Sequence, residues 1–364
     1  MTKILLSLVA ISVVASATEA KSDTTVDGKA QLYYYTTDNK DKLFSNESAN
    51  AGGAVTLNVS HKFSDAISAN FTAIGYDSLG ASVGGAMEGK NKGSLFDPED
   101  NMAKRHTSDA YFGNANIVAT MGGTTAIVGR QQLNTPMLGS FDWLLAPSHF
   151  EAGTVVHKIA NLTLIGAYVT KLRANNSGTE FVKLADDNYA IGMAYSSVVD
   201  ANLWYYNIDA GGYTQIYADV SEKRSGVLYA VQAVSTNYDE GDDSMAYGLK
   251  VAGEIDGWGM SIAYNNIQDR AAGKVEVDSL YTSSWNTWAS DKLDNSFKVE
   301  ASRKFSGLAS TLSYAKYDDG CEVDVILGYE VAKNISLNAI FSNTEYTEDS
   351  DAEKALEFIG TYKF

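Results

Sequence analysis

Four histidines, at positions 61, 106, 149 and 157, and a single cysteine, Cys321, are the side chains of this chain best suited to metal or nucleophile chemistry. The histidines have no metal-ligand spacing. A nucleophile needs an adjacent base, such as His149 or His157 beside a serine, and nothing in the spacing favours such a pair. One cysteine excludes an intramolecular disulfide framework and a multi-cysteine metal site. Gly84-Gly85-Ala86-Met87-Glu88-Gly89-Lys90-Asn91 nearly matches a phosphate-binding loop. It lacks the Ser or Thr after the lysine and the strand-to-helix setting that such a loop requires. Catalysis is therefore not expected, and no resident cofactor or catalytic residue is assigned.

The remaining chemistry is charge. Acidic clusters stand at Asp97, Glu99 and Asp100, at Asp239, Glu240, Asp242 and Asp243, and at Glu345, Glu348, Asp349, Asp351 and Glu353. Their oxygens suit a divalent cation such as Ca2+, but no calcium-loop spacing is present, and they read more simply as solvated loops. The formal net charge is −17, which argues against nucleic acid as a partner, because its phosphates would repel the chain, and is compatible with attracting cations. A second charged set, Arg130, Lys250, Lys298, Glu300 and Asp324, sits within stretches that alternate in polarity.

Those stretches are strands. Alternation with a period of two predicts them near 25–36, 51–62, 66–77, 107–115, 124–132, 153–159, 162–171, 188–197, 200–208, 213–221, 226–236, 244–253, 257–266, 295–304, 308–317, 321–331, 335–344 and 355–364. In one, Trp258, Met260, Ile262 and Tyr264 oppose Gly259, Ser261, Ala263 and Asn265. The count is about eighteen; merging or splitting one weak hairpin gives sixteen or twenty. The connections alternate, with turns such as Ile159-Ala160-Asn161 between long segments such as 37–50, 78–106, 133–152, 172–187, 267–294 and 345–354. Short turns on one side and longer loops on the other are the pattern of a transmembrane antiparallel β-barrel, whose large apolar set faces lipid and whose small or polar set faces the interior.

Both ends of the chain agree. Lys3, the apolar run Ile4 to Ala15 and the small residues up to Ala20 form a signal peptide, 1–20, cleaved after Ala17 or Ala20. The last strand alternates Leu356, Phe358, Gly360, Tyr362 and Phe364 against a more polar set and stops on the aromatic. A last strand that must pair with the first has no edge to hide. The 22 tyrosines suit the aromatic girdles at the two membrane interfaces, and the 3 prolines suit many continuous strands. The organisation is thus a removed leader and one barrel, 21–364.

Val128-Gly129-Arg130-Gln131-Gln132-Leu133 and the ending Thr361-Tyr362-Lys363-Phe364 resemble the major outer-membrane porin of campylobacters, a group similar in architecture to the substrate-channel porins of pseudomonads. The resemblance implies an eighteen-stranded barrel in the bacterial outer membrane, commonly a homotrimer, that passes small hydrophilic solutes. It makes Tyr362 and Phe364 the signal read by the barrel-assembly machinery, and lipid and lipopolysaccharide the surrounding partners. In porins the third long loop folds inward. Here 133–152 carries Met137, Leu138, Phe141, Trp143, Leu144 and Leu145, too apolar for a solvated loop. The expectation is a constriction presenting Asp142, His149 and Glu151, facing Arg130, Lys250, Lys298, Glu300 and Asp324 on the wall. The expected function is passive diffusion of ions and small solutes, with cations preferred. The alternatives are a solute-specific channel and a structural or adhesive surface barrel with little conductance.

Overall fold

The computed structural model describes residues 23–38, 41–45, 48–77, 108–143, 145–175 and 180–364. The signal peptide, the acidic group at Asp97, Glu99 and Asp100, the glycine-rich run at 84–91, His106 and Leu144 lie outside the described residues. Eighteen strands follow one another: β1 (Thr24–Thr37), β2 (Ala49–Lys62), β3 (Ile67–Asp77), β4 (Ser108–Met121), β5 (Thr124–Gln131), β6 (His149–Ile159), β7 (Leu162–Arg173), β8 (Val182–Ser196), β9 (Asp200–Ile208), β10 (Tyr213–Arg224), β11 (Val227–Tyr238), β12 (Ser244–Ile255), β13 (Trp258–Gln268), β14 (Asp294–Phe305), β15 (Leu308–Tyr317), β16 (Cys321–Ala332), β17 (Ile335–Glu345) and β18 (Glu353–Lys363).

Each strand pairs antiparallel with its neighbours in sequence, and β1 also pairs with β18, so the sheet has no free edge. At the seam Tyr33 stands opposite Ile359 and Lys29 opposite Lys363. The seam continues past the last strand: Gly28 N donates to the Phe364 carbonyl at 2.9 Å and Phe364 N donates to the Gly28 carbonyl at 3.0 Å. The Phe364 ring occupies the space beside Gly28, where an added Cβ would also lie 2.4 Å from the Thr56 carbonyl oxygen.

The faces sort as the alternation dictates. Outward positions are apolar and bare, with Val128 66 %, Ile262 64 % and Leu32 62 % exposed, while Ala263, Asn265, Asp324 and Ser342 are buried inside. Such a belt on a soluble protein would be an aggregation surface; on a closed barrel it is the lipid-facing band. No helix among the described residues is long and apolar enough to cross a membrane; the strands carry the crossing.

The packed core lies inside the barrel. One cluster joins Leu133, Met137 and Leu138 to Phe150, Val169, Trp204, Tyr206, Tyr217 and Ile267; another joins Leu145 and Ala146 to Tyr33, Ala54 and Tyr76. The segment 132–148 therefore crosses the lumen between two separated parts of the wall. Trp204 lies flat over Gly192, where a Cβ would stand 2.3 Å from the indole.

Candidate channel interior

Two segments fill the interior. The first, 132–148, touches β9 through Tyr206, whose hydroxyl receives the Met137 N–H at 3.3 Å and donates to Thr135 Oγ1 at 3.2 Å. Asn175 clamps it by donating from Nδ2 to the carbonyls of Trp143 at 2.8 Å and Phe141 at 3.1 Å. The second, 269–293, is a strap. Val275 N donates to the Met137 carbonyl at 2.9 Å, and Gly139 N donates to the Val275 carbonyl at 3.2 Å, so the two segments pair with each other. The strap reaches the wall by hydrogen bonds: Gln215 Nε2 to the Gly273 carbonyl at 2.7 Å, and Thr282 N to Asn265 Oδ1 at 3.0 Å.

Three buried carboxylates hold its far end. Glu322 accepts from Asn286 N at 2.7 Å and from Thr287 Oγ1 at 2.5 Å. Asp324 accepts from Ser313 Oγ at 3.0 Å and from Trp285 N at 3.4 Å. Glu357 accepts from Trp285 Nε1 at 2.7 Å, from Trp143 Nε1 at 3.3 Å and from the Tyr33 hydroxyl. One side chain of the last strand thus receives an indole from each inward segment. Across the interior, Lys298 Nζ donates to the Ser283 carbonyl at 2.7 Å.

The eight residues expected to line the pore separate into groups. Lys250, Lys298, Glu300 and Asp324 point inward. Lys250 and Lys298 flank Ala263 on one row of paired residues, and Glu300 is 3.9 Å from Lys298. Lys250 Nζ stands 6.0 Å from the Tyr281 ring. Asp142 is exposed on the inward segment. His149 is buried in the wall: Nδ1 is 2.8 Å from the Pro147 carbonyl oxygen, and the ring covers Gly113. It presents nothing to a lumen. Arg130 and Glu151 are corrections. β6 begins at His149, so Glu151 is a strand residue opposite Arg130, and Arg130 lies opposite Ala115, which lies opposite the exposed Phe71. That row faces outward. Arg130 Nε donates to Glu151 Oε1 at 3.1 Å, and Lys171 Nζ lies 2.8 Å from Glu151 Oε2.

Sequence reasoning missed Glu357, Glu322 and the strap. Glu357 was legible as a charge at an inward position of β18. The indole N–H groups of Trp143 and Trp285 announce a need for acceptors, since buried tryptophans find one. Among the described residues no group of three His, Cys, Asp or Glu is arranged to hold a metal ion. Cys321, half-buried, donates from Sγ to Glu345 Oε2 at 3.4 Å.

A cavity of about 310 Å³ lies where the two inward segments meet the wall, lined by Leu138, Val169, Ile208, Tyr213, Lys274 and Glu276 among others. Its walls are mostly apolar, with Asn188, Lys274 and Glu276 as the polar members. Lys274 is held by Asp291, and Glu276 Oε2 accepts from Asn175 N at 3.1 Å. Burial pushes the Glu276 carboxyl above its ordinary pKa, and the Asn175 N–H partly opposes that. Its backbone is left-handed, with φ of 64°, a strained conformation for a residue with a Cβ. The Tyr213 hydroxyl is buried without a hydrogen-bond partner among the described residues.

No protein-family model matches the chain, and no curated protein matches it in sequence. Solved structures do match in fold. The OccK9 (OpdG) structure of Pseudomonas aeruginosa superposes with a TM-score of 0.81 at 18% identity, covering 94% of this chain and 98% of that one. OpdK of the same organism, solved with vanillate, gives 0.80 at 15% identity with the same coverage. OccAB3 of Acinetobacter baumannii gives 0.79 at 15% identity, covering 94% of this chain and all of that one. The chain is therefore an eighteen-stranded barrel with the fold of these proteins, of which OpdK is an outer membrane protein.

Proposed function

We propose that the protein is a passive channel of the bacterial outer membrane for ions and small hydrophilic solutes, with no catalytic step. The observation that carries this reading is the pairing of a bare apolar belt with a polar interior narrowed by two segments anchored across the lumen. Solutes enter among the acidic loops, pass segments 132–148 and 269–293 beside Asp142, Lys250 and Glu300, and leave past the short turns. The gradient supplies the drive. Cations are preferred: the net charge and the acidic loops favour them, and among the described residues the buried acids Glu322, Asp324 and Glu357 are held by neutral donors. Lipid and lipopolysaccharide surround the barrel. Assembly through the Tyr362–Phe364 end and a homotrimer follow from the resemblance to campylobacter porins, which rests on the quoted residues alone.

Single-channel recording of the refolded protein in a planar bilayer under a salt gradient tests this. Stepwise conductance with a reversal potential on the cation side is expected. Stable insertion without steps overturns it. A second reading, a channel for one solute class, is favoured by the mostly apolar cavity with its Tyr213 hydroxyl, which has no hydrogen-bond partner among the described residues. It requires flux that saturates with solute concentration.

A further inference from the structure

The cavity between the strap and the wall lies at the long-loop ends of β7 to β10, the side from which solutes arrive, and encloses about 310 Å³. At about 30 Å³ per water, that holds about ten waters or a solute of about ten heavy atoms. Leu138, Val169, Leu184, Ile208 and Val275 supply its apolar wall. An apolar body gains by displacing water from such a lining.

Two of its polar members are already engaged. Asn188 donates from Nδ2 to the Ala185 carbonyl and accepts from Ala210 N at 3.0 Å. Lys274 is neutralised by Asp291. Glu276 is different. Among the described residues its carboxylate is held by neutral donors, the Asn175 N–H at 3.1 Å and the Ser148 hydroxyl. Its left-handed backbone, with φ of 64°, is fixed on both sides: Val275 and Val277 bridge each other, and Val275 also bridges Leu138 of the other inward segment. Strain of this kind collects where a side chain must be presented to a ligand. Tyr213, on the same lining, has a buried hydroxyl with no hydrogen-bond partner among the described residues. Its ring packs against Gly211 and Gly273, where an added Cβ would stand 2.5 and 2.7 Å away. The phenol is thus held beside the cavity with its bonding incomplete.

We propose that this cavity is a capture site for a small organic ammonium, with its charge on Glu276 and its apolar body among Leu138, Leu184 and Ile208. The ammonium supplies the counter-charge that the neutral donors do not. A primary ammonium carries three N–H donors, so one serves the Glu276 carboxylate and another is available to the Tyr213 oxygen. A carboxylate solute is disfavoured, because it sets like charge against Glu276 while Lys274 is occupied by Asp291. The site deepens the reading of a channel for one solute class, and rests on that reading for its part in transport.

The test is binding of 2-phenylethylammonium to the purified barrel in detergent, titrated by saturation-transfer NMR at neutral pH with empty micelles as the blank. 3-Phenylpropionate and 2-phenylethanol, which share its ring and chain but are negative and neutral, are the comparisons. The ammonium should bind most tightly and the carboxylate least. A hydrogen bond to a charged group contributes about a tenfold to hundredfold gain in affinity, so Glu276→Gln should weaken the ammonium by about that factor and leave the alcohol unchanged. Leu184→Trp, which fills the space and keeps the acid, should weaken ammonium and alcohol alike. A heat-resistant band on a gel establishes that each variant is a closed barrel. Carboxylate bound as tightly as ammonium by the wild type overturns the proposal, and that comparison needs no variant. So does a Glu276→Gln barrel that binds the ammonium as the wild type does, or a loss on Glu276→Gln that Leu184→Trp does not reproduce. Flux of the same ammonium into vesicles is a separate readout. Flux that fails to saturate while binding persists sinks the solute-specific reading and leaves the site standing; saturating flux without binding that depends on Glu276 does the reverse.

Discussion

Replacing Glu357 by glutamine should release both inward segments while leaving the barrel closed. In the native structure one carboxylate oxygen accepts from the Tyr33 hydroxyl and Trp143 Nε1, and the other accepts from Trp285 Nε1. An amide keeps one acceptor oxygen and puts an N–H group where the other stood. If the oxygen stays with Tyr33 and Trp143, the amide nitrogen meets the Trp285 N–H, donor against donor. Hydrogen bonds to a charged group contribute about 1.5–3 kcal/mol each and neutral ones about 0.5–1.5 kcal/mol. Losing one bond and weakening two by about 1–1.5 kcal/mol each costs the docked arrangement about 3.5–6 kcal/mol. At about 1.4 kcal/mol per tenfold, the docked-to-released ratio falls by roughly two and a half to four orders of magnitude. Single-channel recording should show a larger open level with frequent transitions to the native one. Tryptophan emission should shift to the red as Trp143 and Trp285 meet water. A closed Glu357→Gln barrel with native conductance, native noise and native emission would refute the reasoning.

Four further outcomes follow. Arg130→Gln and Glu151→Gln should leave the reversal potential within a few millivolts of wild type, because both lie on the outer wall; a large shift would return them to the lumen. Lys298→Met removes an inward cation and the bond to the Ser283 carbonyl, so cation selectivity and current noise should both increase in the salt-gradient recording. Gly28→Val forces atoms into the Phe364 ring and the Thr56 carbonyl; overpacking of this kind costs about 1–3 kcal/mol, read as a lower urea midpoint. Burial raises the Glu276 pKa, so the docked arrangement holds its proton more tightly than the released one. Docking is then strongest below the ordinary carboxylate value and is lost as pH rises through the raised one. Conductance should be lower in acid, and Glu276→Gln should remove that dependence; conductance that falls with rising pH contradicts it.

The strand framework was open to reading because a barrel wall imposes one requirement on every strand, apolar outward and small or polar inward. Trp258 to Asn265 obeys it residue by residue. The interior was harder. Arg130 follows Gly129, whose φ of 122° suits glycine, and the 124–132 stretch mixes apolar residues on both parities, so no face stands out. Glu151 was hidden by the apolar run before it, which makes the start of β6 at His149 look like more loop. The strap escaped notice for a chemical reason. Many of its contacts to the wall are hydrogen bonds, donated by Thr282, Asn286 and Thr287 and accepted by the Ser283 carbonyl, and a segment rich in Ser, Thr and Asn reads as solvated even when its partners are buried.

The seam between β1 and β18 also dictates an order of events. Gln31 and Thr361 touch across it, 330 residues apart in sequence. Joining ends so distant costs about 5 kcal/mol of chain entropy beyond the fixed cost of closing any loop, and no local contact offsets that early. The hairpins can zip as soon as each turn forms; the first and last strands must wait for all the others. Until then the nascent sheet has two long open margins of unpaired N–H and C=O groups inside or beside a bilayer that offers no water to satisfy them. A host that shields those margins, or lends them a temporary strand, would set the pace of maturation. A chain shortened by even its last strand would stay a ribbon that no bilayer can hold.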